Sequence, residues 1–343
     1  MGGWFVLTVL DGPMRSLSSD LHLIPAAGDP AAKLEQIPTR DGFGQGLVAL
    51  GTAHEDVVVL CGDLSESTRA LAFQKAFPDR YVEVGVAEQN MTVLAAGLSM
   101  EGKVPFMTSY GVFVPGRCWD QVRISLCYNR ANVKIGGAHT GISVGPDGAT
   151  HQAMEDLALT RVLPGMTVLV PCDAPQTKRA TEAAYEIQGP AYIRFAREKT
   201  PVFTTPETPF EIGKAQILCE GSDVTVVGCG PLVYEALRAA ALLEGELSLE
   251  VINLHTVKPI DAQTLEASAR KTGRVVTIEE HQITGGIGSA VAECLSERFP
   301  VPVKRIGMPD AFGESGTPAE LPTKYGMTAE AIVAAARELR KRS

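Results

Sequence analysis

Several short runs in this sequence are mostly apolar, one of them without interruption, and they constrain the fold more than any other feature. "DVVVLCGD" near position 60 is one; "VPFMTSY", "NVKIGGAH", "MTVLVP" and "AYIRFA" follow it. A strand with one face in water alternates apolar and polar residues, so an unbroken run bounded by turn residues reads as a strand buried on both faces. Between these runs lie segments of helical character: "RDGFGQGLVALGTAH", "NMTVLAAGLSMEG", "GRCWDQVRISLCYNR", "HQAMEDLALTRVL" and "APQTKRATEAAYEI". Strands and helices in alternation imply a mostly parallel sheet covered by helices, an α/β fold.

The pattern divides the chain. Residues 1–35 have no sustained period and read as a loosely structured extension. Residues 36–200 form the first α/β domain. "PVFTTPETPFEIG" holds three prolines and no helical spacing, which places a linker at 201–212. Beyond it "DVTVVGCG", "SLEVINLH", "GRVVTIEEH" and "VPVKRIGM" predict a second, smaller α/β domain over 213–343. The expected architecture is two doubly wound domains with mostly parallel sheets.

The totals narrow the partners. With 343 residues, 45% hydrophobic and 21% charged, the chain can bury large cores. A net charge of −9 argues against nucleic acid, so an anionic ligand must be gripped by local basic groups. Seven scattered cysteines without a CxxC pair read as reduced, cytoplasmic thiols and no zinc site. "MGGWFVLTVLDG" lacks a basic start and turns acidic at Asp11, unlike a leader peptide. No apolar run reaches the roughly 20 residues needed to cross a bilayer.

Four stretches bear on chemistry. "VVGCGPLVYEA" hints at a dinucleotide loop, but Val233 stands where that fingerprint needs a small residue, so a plain strand-to-helix turn is the better reading. "HTGISVGPDGATHQAMED" crowds His139, Asp147 and His151 among Gly141, Gly145 and Gly148. Glycines admit close backbone approach, and two histidines supply groups that titrate near neutral pH; the cluster reads as a ligand loop. No third ligand at a recognisable spacing supports a metal there. In "IRFAREKTP", Arg194 and Arg197 are three apart and face oppositely, one toward a ligand and one toward another element. Glu88 opens an apolar helix expected to be buried all round. It either complements the helix dipole or, its pKa raised by burial, serves as a proton-sharing carboxyl; local sequence leaves both open.

Together these stretches resemble the transketolase family of thiamine-diphosphate enzymes, over about residues 36–343. "EVGVAEQNM" is similar to the segment that holds the family's cofactor glutamate, matched by Glu88. "CGDLSES" resembles the segment with an active-site Asp and a phosphate-binding Ser, matched by Asp63 and Ser67. "TSYGVFVPGR" is similar to the aromatic stretch stacked on the aminopyrimidine; Tyr110 and Phe113 match, while Gly116 stands where another aromatic is common. "HTGISVGPDGATHQ" is close to the substrate loop, with His139, Asp147 and His151 as substrate residues, and Arg40 and Arg197 match the pair that grips the substrate phosphate.

The resemblance implies a pyrimidine-binding domain followed by a transketolase C-terminal-like domain. It implies thiamine diphosphate as cofactor, with Glu88, Asp63, Tyr110 and Phe113 against it. Glu88, His151 and His139 are the implied catalytic residues, and Arg40, Ser67, His139, Asp147, His151 and Arg197 the implied substrate contacts. No "GDG" segment occurs, so the Mg²⁺ ligands are expected on a separate diphosphate-binding subunit, with two copies of each chain in an α2β2 assembly. The implied reaction moves a two-carbon ketol unit from a ketose phosphate to an aldose phosphate. The β subunit of a 2-oxo acid dehydrogenase and a 1-deoxyxylulose-5-phosphate synthase relative are the alternatives; the first has no need of phosphate-binding arginines, whereas Arg40, Ser67 and Arg197 stand together here, and "THQ" at 150–152 with the Arg197 context favours transketolase over both. A partner-binding subunit without turnover is the reading from another class. "EEHQITGGIGSAVAE" suggests a capped helix start rather than chemistry in the C-terminal domain.

Overall fold

A computed structural model describes residues 16–341. The opening stretch through Asp11 lies outside them, as do the first fifteen residues of the extension.

The strands are β1 (Gln36–Pro38), β2 (Val57–Cys61), β3 (Tyr81–Glu83), β4 (Val104–Tyr110), β5 (Lys134–Ala138), β6 (Thr167–Leu169), β7 (Ala191–Arg194), β8 (Lys199–Pro201), β9 (Gln216–Cys219), β10 (Val224–Gly228), β11 (Leu249–Asn253), β12 (Thr256–Lys258), β13 (Val275–Gln282) and β14 (Val303–Met308). One sheet has the order β12-β6-β7-β5-β4-β2-β3, and a second the order β14-β13-β10-β11-β9. Both are parallel except at one edge, where β12 pairs antiparallel with β6 and β9 with β11. The fold is therefore α/β with parallel-dominated sheets. Every residue of β2, β5, β10 and β11 is buried, as unbroken apolar runs demand.

Two features tie the halves together. β12 comes from the second half of the chain yet completes the first sheet, and one apolar cluster runs from Val168, Val170 and Tyr192 to Val227, Ile252 and Leu254. A short antiparallel ribbon, β1 with β8, brings the residues on either side of Arg40 and Arg197 side by side. Of the extension, Leu23 and Ala27 are buried in the second core, and Ser18 N–H donates to the Leu218 carbonyl at 2.8 Å. The described part is docked rather than loose.

The helix Glu88–Met100 departs from expectation. It buries Met91, Thr92, Ala95 and Ala96, but Val93 is 51% exposed and Met100 67%, beside Val86 at 68%. A run apolar all round can lie in a core or face another chain, and periodicity does not separate the two. The expected helix over "HQAMEDLALTRVL" is only Asp156–Arg161, because the preceding residues join the glycine-rich loop. "VVGCGP" is a plain strand end, turn and helix. Glu279 accepts from the N–H groups of Ile287 and Gly288, capping the helix Ile287–Arg298 from the neighbouring strand.

His255 sits at the junction, stacked on Phe210 at 4.3 Å and only 1% exposed. Its Nε2 has no partner, and burial pushes its pKa down to about 4, against the pull of Asp261. Below an ordinary histidine pKa the unfolded chain takes up a proton that the folded chain refuses, so stability is lost as the pH drops through that window. His255→Phe removes the effect. Relative to wild type, the variant should gain about 1.4 kcal/mol per pH unit between roughly pH 6.5 and 4, read from urea unfolding at several pH values. Parallel pH curves would show that His255 is charged in the fold.

Candidate active site

The sequence-derived residues converge at the carboxyl ends of the parallel strands, where helices and loops leave a crevice. Asp63 follows β2, Tyr110 ends β4, His139 follows β5 and Arg197 follows β7. Strand direction alone therefore places them on one edge of the sheet.

Glu88 opens its helix and is 1% exposed. Its carboxylate is not alone. Ser109 Oγ donates to Oε1 at 3.2 Å, and Arg117 Nη1 donates to Oε2 at 2.9 Å. A buried charge needs such partners. The Arg117 guanidinium also lies 4.2 Å from the Phe113 ring centroid, which links the acid to the aromatic group. Sequence reading missed Arg117 and Ser109. The signal for Arg117 is its place four residues after Phe113, one helical turn away.

Tyr110, Phe113, His139 and His151 form one stack. Tyr110 lies flat on His139 at 3.9 Å and 5.8 Å from Phe113, while His151 meets both aromatics edge-on. His139 is held in left-handed backbone geometry, 2% exposed, with Nδ1 unpartnered. Its pKa is pushed down to about 3, first by burial and then by Arg40 and Arg197. It is a neutral imidazole at physiological pH. His151 Nδ1 engages Thr150 Oγ1 at 2.9 Å, which leaves Nε2 for another group.

Arg40 and Arg197 line a cleft of about 500 Å³ with Arg69 and Lys199. Arg40 Nη1 donates to the Ser67 carbonyl at 3.1 Å, and its Nε is buried without a partner. Burial lowers the Arg40 pKa, and Arg69 adds to it. Arg197 pairs with Asp147 at 2.9 Å and donates to the Val144 carbonyl at 3.2 Å. Arg69, absent from the sequence reading, is held by Asp41. Arg194 turns inward instead: it pairs with Asp156 at 2.8 Å and is 4% exposed. The facing argument thus separates the two arginines.

Asp63 stands apart from this cluster. It is exposed, in left-handed geometry, and its N–H donates to Glu83 Oε1 at 2.7 Å. Its neighbour Gly62 is what approaches the acid: a Cβ there would lie 3.8 Å from Glu88 Oε1. Among the described residues no group of three or more His, Cys, Asp or Glu is placed to hold a metal ion. Nor is any described helix long and apolar enough to cross a membrane.

A buried acid, a stacked aromatic pair and a cationic cleft in one crevice are the parts of a site for a cofactor with a flat ring and for an anionic substrate. Comparison with known proteins gives the class. The transketolase pyrimidine-binding domain matches residues 35–202, and the transketolase C-terminal domain residues 213–332. A solved structure described as "Split gene transketolase, inactive beta4 tetramer" is 49% identical with a TM-score of 0.84, covering 89% of this chain and 99% of that one. The 6-deoxy-6-sulfo-D-fructose transketolase subunit SqwH of Clostridium sp. is 42% identical, over 90% of this chain and 97% of its own length. A subunit of the apulose-4-phosphate transketolase of Phocaeicola vulgatus is 36% identical, over 89% of this chain and 98% of its own length. The chain belongs to the transketolase family of thiamine-diphosphate-dependent transferases, as a subunit built from its pyrimidine-binding and C-terminal domains.

Proposed function

We propose that this chain is the smaller subunit of a divided transketolase, moving a two-carbon ketol unit from a ketose phosphate to an aldose phosphate. The observation that carries the reading is the run of contacts from Glu88 through Arg117 and Phe113 to Tyr110 and His139, whose imidazole feels the charges of Arg40 and Arg197 in the neighbouring cleft. A 2-oxo acid carries no phosphate to occupy Arg40 and Arg197 together.

The residues fit thiamine diphosphate. Glu88 is a buried acid at the base of the crevice, and Tyr110 and Phe113 offer flat apolar faces beside it. Glu88 would hold its carboxyl on N1′ of the aminopyrimidine, Tyr110 and Phe113 would stack on the ring, and Asp63 would lie at the cofactor's edge. When bound, the cofactor supplies a nucleophilic carbon that carries the two-carbon unit between sugars. The apolar wall around Glu88 keeps bulk water away from its carboxyl group. Arg40 and Arg197, with Ser67 and the neutral His139 as donors, grip the terminal phosphate. Asp147 orients a donor hydroxyl, and His151 moves a proton through Nε2.

The Mg²⁺ ligands and the diphosphate grip are assigned to a separate subunit, in an α2β2 assembly that also joins copies of this chain. The apolar face of Val86, Val93, Leu94 and Met100 supports such an assembly, since a surface of this kind costs free energy in water. Seven free cysteines support a reducing, cytoplasmic setting.

The test compares ketose donors with and without the terminal phosphate in the two-subunit complex. Arg197→Met and Arg40→Met should each lower kcat/KM for the phosphorylated donor roughly 10- to 100-fold, the worth of a charged hydrogen bond. The unphosphorylated donor should change little. Equal losses for both donors would remove the phosphate role.

A further inference from the structure

We propose that Glu280, in the C-terminal domain, is a positioning residue for the substrate loop and, through it, for Arg197. The part of the inference that concerns substrate rests on the transketolase reading; the mechanical part does not.

The loop 139–151 is rich in glycine. Gly141, Gly145 and Gly148 adopt positive φ values of 87°, 76° and 76°, and glycine there leaves the unfolded chain many alternatives. Part of its shape is its own, a tight helical turn over Ile142–Asp147 with the Gly148 N–H donating to the Gly145 carbonyl at 3.1 Å, and the C-terminal domain adds holds from outside. Glu280 Oε2 accepts the Ser143 N–H at 3.0 Å, and the side chain is 6% exposed. A buried carboxylate makes a strong acceptor. Gly141 is what admits it: a Cβ there would come within 2.1 Å of the same oxygen.

Glu280 is itself fixed. Its carbonyl accepts Arg194 Nη2 at 2.8 Å, and Arg194 is locked by Asp156. The C-terminal domain holds the loop at a second place, where Gln152 Nε2 donates to the carbonyls of Ile142 and Glu314. Of these two holds, the one through Glu280 uses a carboxylate and the other an amide.

The consequence reaches the cleft. Val144, next to Ser143, accepts from Arg197 through its carbonyl, and Asp147 pairs with the same guanidinium. Freeing Ser143 therefore loosens the two loop contacts of Arg197 and leaves its pairing with Glu198 at 3.4 Å in place. Glu280 touches neither cofactor nor substrate; it sets where the phosphate grip stands. Positioning of this kind is sensitive, because a displacement of about 1 Å can cost on the order of 100-fold in rate.

Two measurements test the inference. Hydrogen exchange on the full chain reads the mechanical part. In Glu280→Ala the amides of 141–148 should exchange roughly tenfold faster, while those of the helix Glu88–Met100 stay unchanged. Kinetics of the two-subunit complex read the rest. KM for the phosphorylated ketose should rise roughly tenfold with the thiamine diphosphate Kd from calorimetry unchanged, and Glu280→Gln, which keeps an acceptor, should recover most of the loss. Gly141→Ala attacks the same contact from the loop side and should reproduce the pattern if Glu280→Ala does not fold. Unaltered exchange at Ser143 in both variants overturns the proposal. Faster exchange with unaltered KM overturns its substrate part and leaves the family function standing. A wild-type complex without two-carbon transfer overturns the functional reading, while exchange still decides the clamp.

Discussion

Glu88→Ala should abolish most turnover in the two-subunit complex, by roughly 10²- to 10⁴-fold in kcat, the range for loss of a positioned acid–base group. The fold should survive. Arg117, left without its partner, is 44% exposed on its side chain and can be hydrated where it stands. Ser109 loses one hydrogen bond, worth about 1 kcal/mol. Thermal unfolding of the variant should therefore stay within a few degrees of wild type while the activity is gone. The same experiment separates the enzyme from a scaffold, because a subunit that only binds its partner would keep all measurable function. Glu88→Gln refines the result. It preserves size and hydrogen bonding but holds no proton, so a variant as active as wild type would show that the acid acts by shape alone.

The second large effect is on stability. Asp156 and Arg194 are 1% and 4% exposed and paired at 2.8 Å, and Tyr192 donates to the same carboxylate at 2.7 Å. Removing one partner of a buried pair leaves the other charged in a low-dielectric interior. Asp156→Asn or Arg194→Met should cost about 3–5 kcal/mol. The double variant Asp156→Leu with Arg194→Met should recover part of that loss, because it buries no charge at all. Urea unfolding of the chain by itself decides the matter. A single-variant loss below about 1 kcal/mol would mean that water reaches the pair.

Much of the fold was legible because burial on both faces removes the alternation that other strands show. "VVVLC" has no polar face to place, and the single polar residues of "KIGGA" and "VTVVG", Lys134 and Thr225, are themselves buried. The strands that escaped notice are β1, β8, β9 and β12, three or four residues long, two with a proline. Their pairing is decided by tertiary contact and leaves no local trace. The exposed face of the helix Glu88–Met100 escaped for a different reason: an apolar run reads the same against a core as against a second chain. At the site, Glu88, Tyr110, Phe113, His139, His151, Arg40 and Arg197 carry motif signals, and the fold brings them to one crevice. Arg117 and Glu280 carry no such motif. Arg117 stands at the start of the stretch "GRCWDQVRISLCYNR", which reads as an ordinary helix and gives its side chain no role. Glu280 reaches Ser143 across 137 residues of sequence, a separation that no periodicity reports.

The account stands on a divided site in which this chain supplies the acid and the phosphate grip, and another supplies the hold on the diphosphate. The most direct measurement is two-carbon transfer between xylulose 5-phosphate and ribose 5-phosphate, with thiamine diphosphate and Mg²⁺, for this chain alone and after co-purification with a diphosphate-binding subunit. The account predicts no transfer from the isolated chain and transfer from the pair. Transfer by the isolated chain, or none from a pair that has bound the cofactor, would contradict it.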